Sequence, residues 1–153
     1  MNFIDERNFD VNIQYQGEEL SWLGDINFMH EKFGINEVVK KFSPELLKEF
    51  LLFRIRFLEE ELQEMKDAES AEDVVDALID LVVVAIGTLD SFQVDGQVAW
   101  DAVLEANLSK NAGSNPTRPN AFGLPDLIKP EGWQGPSHKG NHGLLAKVKY
   151  PLK

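Results

Sequence analysis

The chain contains no cysteine. That excludes a disulfide framework, a thiolate metal site and thiol chemistry, and it suits a reducing, cytoplasmic setting. A long apolar run is also missing. The longest uncharged apolar stretch, Leu81 to Leu89, falls far short of the ~20 residues that span a bilayer. The N-terminal MNFIDER carries acids where a signal peptide has a basic start and an apolar run. A soluble protein with no membrane partner is expected. Bases are scarce over most of the chain. Residues 1–107 hold 24 acids against 8 bases, whereas residues 108–153 hold 2 acids against 7 bases. The two parts carry −16 and +5, which sum to the net charge of −11. An acidic body repels a phosphate backbone, so nucleic acid is not an expected partner. The basic tail is expected to fold back on the body or to meet a polyanionic small molecule held there by metal. A plain solubility asymmetry is the ordinary alternative.

What is present suffices for one domain with a core: 153 residues, 43% of them hydrophobic. Residues 1–20 show weak alternation in Phe9, Val11, Ile13 and Tyr15 and predict an extended arm or short strand. Ser21 opens a helix that places Ile26, Met29 and Phe33 on one face, with Gly34 as its stop. Ser43-Pro44-Glu45 is a strong helix start, with Ser as cap and Pro at the first helical position. Leu47, Phe50, Leu51, Phe57, Leu58, Leu62 and Met65 then recur at helical spacing to about residue 68. Ser70 followed by Asp73 is a capping-box type opening of a third helix, running to about Phe92. Asp95 caps a fourth, through Val98, Val103 and Leu108. After Lys110 come six of the seven prolines and six of the eleven glycines, so little regular structure is expected there. The predicted fold is all-α, an antiparallel bundle of four to five helices. Its domain covers residues 1–110, with the core in 21–110. The tail, 111–153, is irregular. It holds Phe122, Leu124, Leu127, Ile128 and Trp133, too many apolar groups for a linker, and should pack on the body or on a neighbouring subunit.

The chemistry concentrates in two helices. Glu60, Glu61 and Glu64 span an arc of about 100° on the second, and Asp73, Asp76 and Asp80 an arc of about 60° on the third. Between Glu59 and Asp80 there are ten acids and one base, Lys66. Two solvated faces are the ordinary explanation for the glutamates. It does not serve Asp80, which interrupts the most apolar helix of the chain. A helix apolar nearly all round should be buried on several sides, and an unpaired carboxylate there is costly. Arg54 and Arg56, about two turns before the glutamates, are the nearest bases. A divalent cation is the economical partner. Clustered carboxylate oxygens without thiolates suit Mg²⁺ or Mn²⁺, and Mg²⁺ in turn implies a nucleotide phosphate substrate. Gly87 lies on the same face as Asp80, two turns on, where a bulky side chain would block close approach.

With these features in place, the chain resembles the MazG-like all-α nucleoside triphosphate pyrophosphohydrolases, in their phage and bacterial branch. Four motifs carry the resemblance in order over about residues 25–111: FMHEKFG, EELQE, DALIDLVVVAIG and EANLSK. One position departs from the pattern. The acid expected three residues before Asp80 falls on Ala77, with Asp76 beside it as the stand-in; Asp73 and Asp76 also satisfy the spacing. The resemblance implies hydrolysis of a (deoxy)nucleoside triphosphate to the monophosphate and pyrophosphate in the cytoplasm, or the host cytoplasm if phage-encoded. It implies Mg²⁺ on Glu61, Glu64, Asp76 and Asp80, with the catalytic set Glu60, Glu61 and Glu64 and either Glu60 or Glu64 as base. Asn107 and Lys110 match the phosphate and sugar contacts. It also implies a homodimer or homotetramer with substrate near a subunit interface, as the small helical body does independently. A dUTP- or phosphoribosyl-nucleotide-specific enzyme, and an inactive nucleotide-binding or interaction protein, are the alternatives. Further candidates for substrate contact are Arg118 between two prolines, Arg56, and Trp22, Phe28, His30 and Phe33, placed where a base could stack; packing into the core is the ordinary alternative for these aromatics. Lys147 and Lys149 are comparable to Arg118. His138 and His142 in SHKGNHG read as a glycine-flanked loop rather than a soft-metal site.

Overall fold

The computed structural model describes residues 21–118 and 121–153; the arm expected in residues 1–20 lies outside them. The molecule is all-α. Helix α1 spans Trp22–Lys32, α2 Ile35–Val39, α3 Pro44–Asp67, α4 Ala71–Ser91 and α5 Gly96–Leu108. Four of the five begin as the sequence predicts, because each cap is local. Ser21, Ser43, Ser70 and Asp95 each accept a hydrogen bond from the backbone N–H three residues on. Asp73 completes its cap by accepting from the Glu69 N–H at 3.1 Å. The short α2 departs from expectation. Gly34 stops α1, but its φ of +69° also turns the chain directly into α2. Five residues are too few to show a helical period.

Helices α3 and α4 form an antiparallel hairpin across a three-residue turn, and partner residues run in opposite directions along it. Phe50 stacks on Phe92 at 5.5 Å between ring centroids, and Arg54 donates to Thr88 and to the Val84 carbonyl. Helix α1 lies along α4. Asp90 ties α1 and α2 to α4 by accepting from Asn27 and Asn36 and pairing with His30 Nδ1, each at 2.8 Å. Gly87 permits the approach. A Cβ there would meet Arg54 Nη2 at 3.1 Å and the His30 ring at 3.3 Å.

The core sits at the end of the hairpin away from its turn. Val39, Leu47, Phe92, Leu144 and Val148 form it, and Leu47 and Phe92 are 0% exposed. Two of the five come from the tail, through the 3₁₀ helix Gly143–Lys147. The Leu144 N–H donates to the Phe92 carbonyl at 2.6 Å. Gly143, at φ +51°, lies so close that a Cβ would overlap the Phe92 carbonyl oxygen. The tail is also less irregular than expected. Strands β1 (Asn111–Gly113) and β2 (Asp126–Ile128) pair antiparallel, Asn111 opposite Ile128. Asn141 then joins the α5 cap in both directions, accepting from the Asp95 N–H and donating to the Asp95 carbonyl, each at 2.8 Å.

Candidate active site

Near the turn of the hairpin, the acids of α3 and α4 act on one carboxylate, Glu61. The registry that sets Phe50 against Phe92 sets Glu61 near Asp80. Glu61 is half-buried, and its Oε2 is shielded from solvent without a hydrogen-bond partner. Burial pushes its carboxyl above the usual range, and the negative charges of Glu64, Asp80, Glu60 and Asp76 add to that shift. The five acids therefore share one electrostatic site. Asp73 is drawn away into the α4 cap, where Ser70 and the Glu69 N–H hold its carboxyl below the usual range.

Two expectations change here. Asp80 was expected to be buried on an enclosed helix; it is only half-buried, and Val75, Leu78 and Ile79 beside it are exposed, Val75 by 60%. Among the described residues no helix covers this part of α4. The shielded, partnerless carboxylate is Glu61 instead. Ala77, where the resemblance expects an acid, is 3% exposed and faces inward, while Asp76 is exposed. One residue of offset turns a side chain by about 100°. Asp76 thus acts on Glu61 from the rim. Among the described residues no three acidic or histidine side chains already stand close enough to share one ion. An oxygen-only donor set with a shielded, partnerless oxygen and mutual repulsion is nevertheless the chemistry a hard divalent cation satisfies.

The basic residues sort differently from expectation. Arg54, seven residues before Glu61, shares its helix face; it is half-buried, and burial lowers its pKa. Arg56 points about 140° away from Glu61, exposed, over the Phe53 ring at 5.8 Å. His30 is 4% exposed and engaged by Asp90, so it offers no face to a base; Phe28 is 43% exposed. Arg118 pairs with the buried Asp126 at 2.8 Å, and Asp126 also accepts from the Asn115 N–H. Together they fasten the chain that follows β1 to β2, and these two bonds hold the Asp126 carboxyl below its usual range. A broad concavity of about 720 Å³ beside the β1–β2 pair, lined by Ser114, Asn115, Pro125 and Asp126 among others, contains none of the clustered acids.

At the end of α5, Lys110 Nζ donates to Asn107 Oδ1 at 2.8 Å. Trp133 closes over this pair from the tail. Its indole N–H donates to the Ala106 carbonyl and to Ser109 Oγ, at 3.0 and 2.9 Å. Lys110 and Lys129 both lie over its ring, at 5.0 and 4.9 Å from the centroid. Sequence reasoning treats Trp133 only as an apolar group and does not single out Lys129. Nothing in the sequence signals the contact of Trp133 with Lys110, more than twenty residues away.

Residues 29–107 match the family described as phosphoribosyl-ATP pyrophosphohydrolase. The match covers just over half of the chain, and the chain belongs to that family, within the MazG-like all-α nucleoside triphosphate pyrophosphohydrolase superfamily. It is a pyrophosphohydrolase, an enzyme of the class that hydrolyses acid anhydrides. No curated protein matches the chain. Among the described residues no helix is long and apolar enough to cross a membrane.

Proposed function

We propose that the chain cleaves the α–β phosphoanhydride of a (deoxy)nucleoside triphosphate, giving the monophosphate and pyrophosphate, with Mg²⁺ as its metal. The observation that carries this reading is the shielded Glu61 oxygen, partnerless and surrounded by four like charges. Glu61, Glu64, Asp76 and Asp80 would hold the ion, and Mn²⁺ is the alternative. Bound there, it neutralises phosphate charge and polarises the scissile phosphoryl group. Glu60 or Glu64, both exposed, takes a proton from water as the water oxygen bonds to phosphorus. The anhydride bond to the bridging oxygen breaks, and pyrophosphate leaves. Lys110 meets phosphate as a point charge, and Asn107 orients it or contacts the sugar. The order of the motifs supports a phage or bacterial member working in the cytoplasm.

A second reading is favoured by the family match: a phosphoribosyl nucleotide as substrate. The same bond type would break, and the same acids would serve. dUTP is the narrower alternative.

Exposed apolar side chains support a homodimer or homotetramer with substrate near the interface. Val74, Val75, Leu78 and Ile79 on α4 and Trp100, Val103 and Leu108 on α5 are all open in one copy. A monomer by light scattering at micromolar concentration would count against it.

The test is pyrophosphate release from dNTPs, NTPs and phosphoribosyl-ATP, with Mg²⁺ and with EDTA, for wild type, Glu61→Gln and Asp80→Asn. Expected is Mg²⁺-dependent release by wild type and a fall of about 100-fold or more in each variant. No release from any nucleotide by folded wild type would refute the reading.

A further inference from the structure

We infer that the tail takes part in substrate binding: Trp133 positions Lys110 and Lys129 as a two-pronged clamp for a polyphosphate chain. The family match ends at residue 107, so Trp133 and Lys129 lie outside it. The inference rests on the proposed function for the role of Lys110, but its geometry stands separately.

Trp133 is fixed. Its single N–H is shared between the Ala106 carbonyl and Ser109 Oγ at the end of α5, so the ring cannot swing without losing both bonds. Two ammonium groups gather on this fixed ring, 5.0 and 4.9 Å from its centroid. By those distances they are at most about 10 Å apart. Like charges that share one ring repel, and attraction to the ring face compensates only weakly. Neither lysine has a carboxylate partner among the described residues, in a chain of net charge −11. Lys110 instead donates to the neutral amide of Asn107. Two uncompensated cations held in a fixed relation attract an anion with several negative oxygens. With lysines over the ring, Trp133 is a platform for them rather than a stacking face for a base. The occupant is therefore a phosphate chain, carried by a nucleotide or released as pyrophosphate. Lys129 would touch it directly, and Trp133 acts through the lysines as a positioning residue.

Binding of inorganic tripolyphosphate to the full chain is the test. It would be measured calorimetrically at low salt, in EDTA and again with Mg²⁺, for wild type, Lys129→Gln, Trp133→Leu and Trp133→Phe. Lys129 is exposed, so its substitution leaves the fold intact, and circular dichroism monitors the tryptophan variants. Lys129→Gln and Trp133→Leu are expected to weaken binding about tenfold, and Trp133→Phe, which keeps an aromatic face, less. In nucleotide turnover Lys129→Gln should raise KM about tenfold with a smaller fall in kcat, a split that a merely structural role would not produce. Absence of tripolyphosphate binding by wild type in both conditions, or equal binding by Lys129→Gln, overturns the clamp. Wild-type binding that Lys129→Gln weakens, without turnover of any nucleotide, supports the clamp and refutes the substrate reading under the proposed function. Turnover with KM unchanged in Lys129→Gln does the reverse.

Discussion

The two ends of the α3–α4 hairpin are made by the same pair of helices and have opposite character. At the far end, Leu47 of α3 and Phe92, at the C-cap of α4, are fully buried, and α2 and the tail close over them. At the turn end, Glu60, Glu64 and Asp76 are exposed, Glu61 is held above its usual pKa range, and Val75, Leu78 and Ile79 face outward. One end gathers apolar groups and gives the fold its stability. The other gathers like charges, which oppose folding in the absence of a counter-ion. Separating the two lets the hairpin tolerate a destabilising site, because the structure that over-determines it lies several turns away.

The largest loss is expected at Phe92. Phe92→Ala removes the centre of the closed end and is expected to cost about 3–5 kcal/mol in denaturant unfolding. A loss near 1 kcal/mol would mean that the stability resides elsewhere. Gly143→Ala is expected to cost less, about 1–3 kcal/mol. It combines a Cβ at φ +51° with overlap of the Phe92 carbonyl, and should undock the last ten residues. Limited proteolysis would then cut residues 133–145 faster than in wild type; an unchanged rate would show that the tail is held by other contacts. The smallest effect has the opposite sign. A carboxyl whose folded-state pKa is raised favours folding only while protonated. Its contribution is full below its ordinary value of 4.5 and is lost as pH rises through the raised folded value. In EDTA at neutral pH, Glu61→Gln should therefore melt above wild type, with the gap closing as pH falls toward 4.5. Saturating Mg²⁺ should narrow or reverse it by stabilising wild type. A variant less stable than wild type at neutral pH in EDTA would contradict the site electrostatics.

Much of the helical frame was legible because its determinants are local. Ser43-Pro44, Ser70 and Asp95 start helices through bonds to residues three positions on, and the period of α3 and α4 marks their faces. The acids were legible for the same reason: 3.6 residues per turn places Glu61 beside Glu64, and Asp76 beside Asp80. The orientation of the two nearest bases follows from the same period: Arg54, seven residues before Glu61, shares its face, while Arg56 faces away. Other features had no local signal. The entry of Leu144 and Val148 into the core, the β1–β2 pairing and the meeting of Trp133 with Lys110 all join residues distant in the chain. Sequence spacing carries no information on which distant surfaces meet.

By itself, the sequence determined an all-α chain with two acidic helix faces in adjoining helices and a tail of opposite charge. These follow from composition, caps and periodicity, which act over one or two turns. Only the tertiary structure decided which carboxylate loses its solvent, that Ala77 rather than an acid faces inward, and that the tail reaches both the core and the end of α5. Those outcomes depend on how helices register against one another, and a single residue of offset, about 100° of rotation, moves a charge from the interior to the rim.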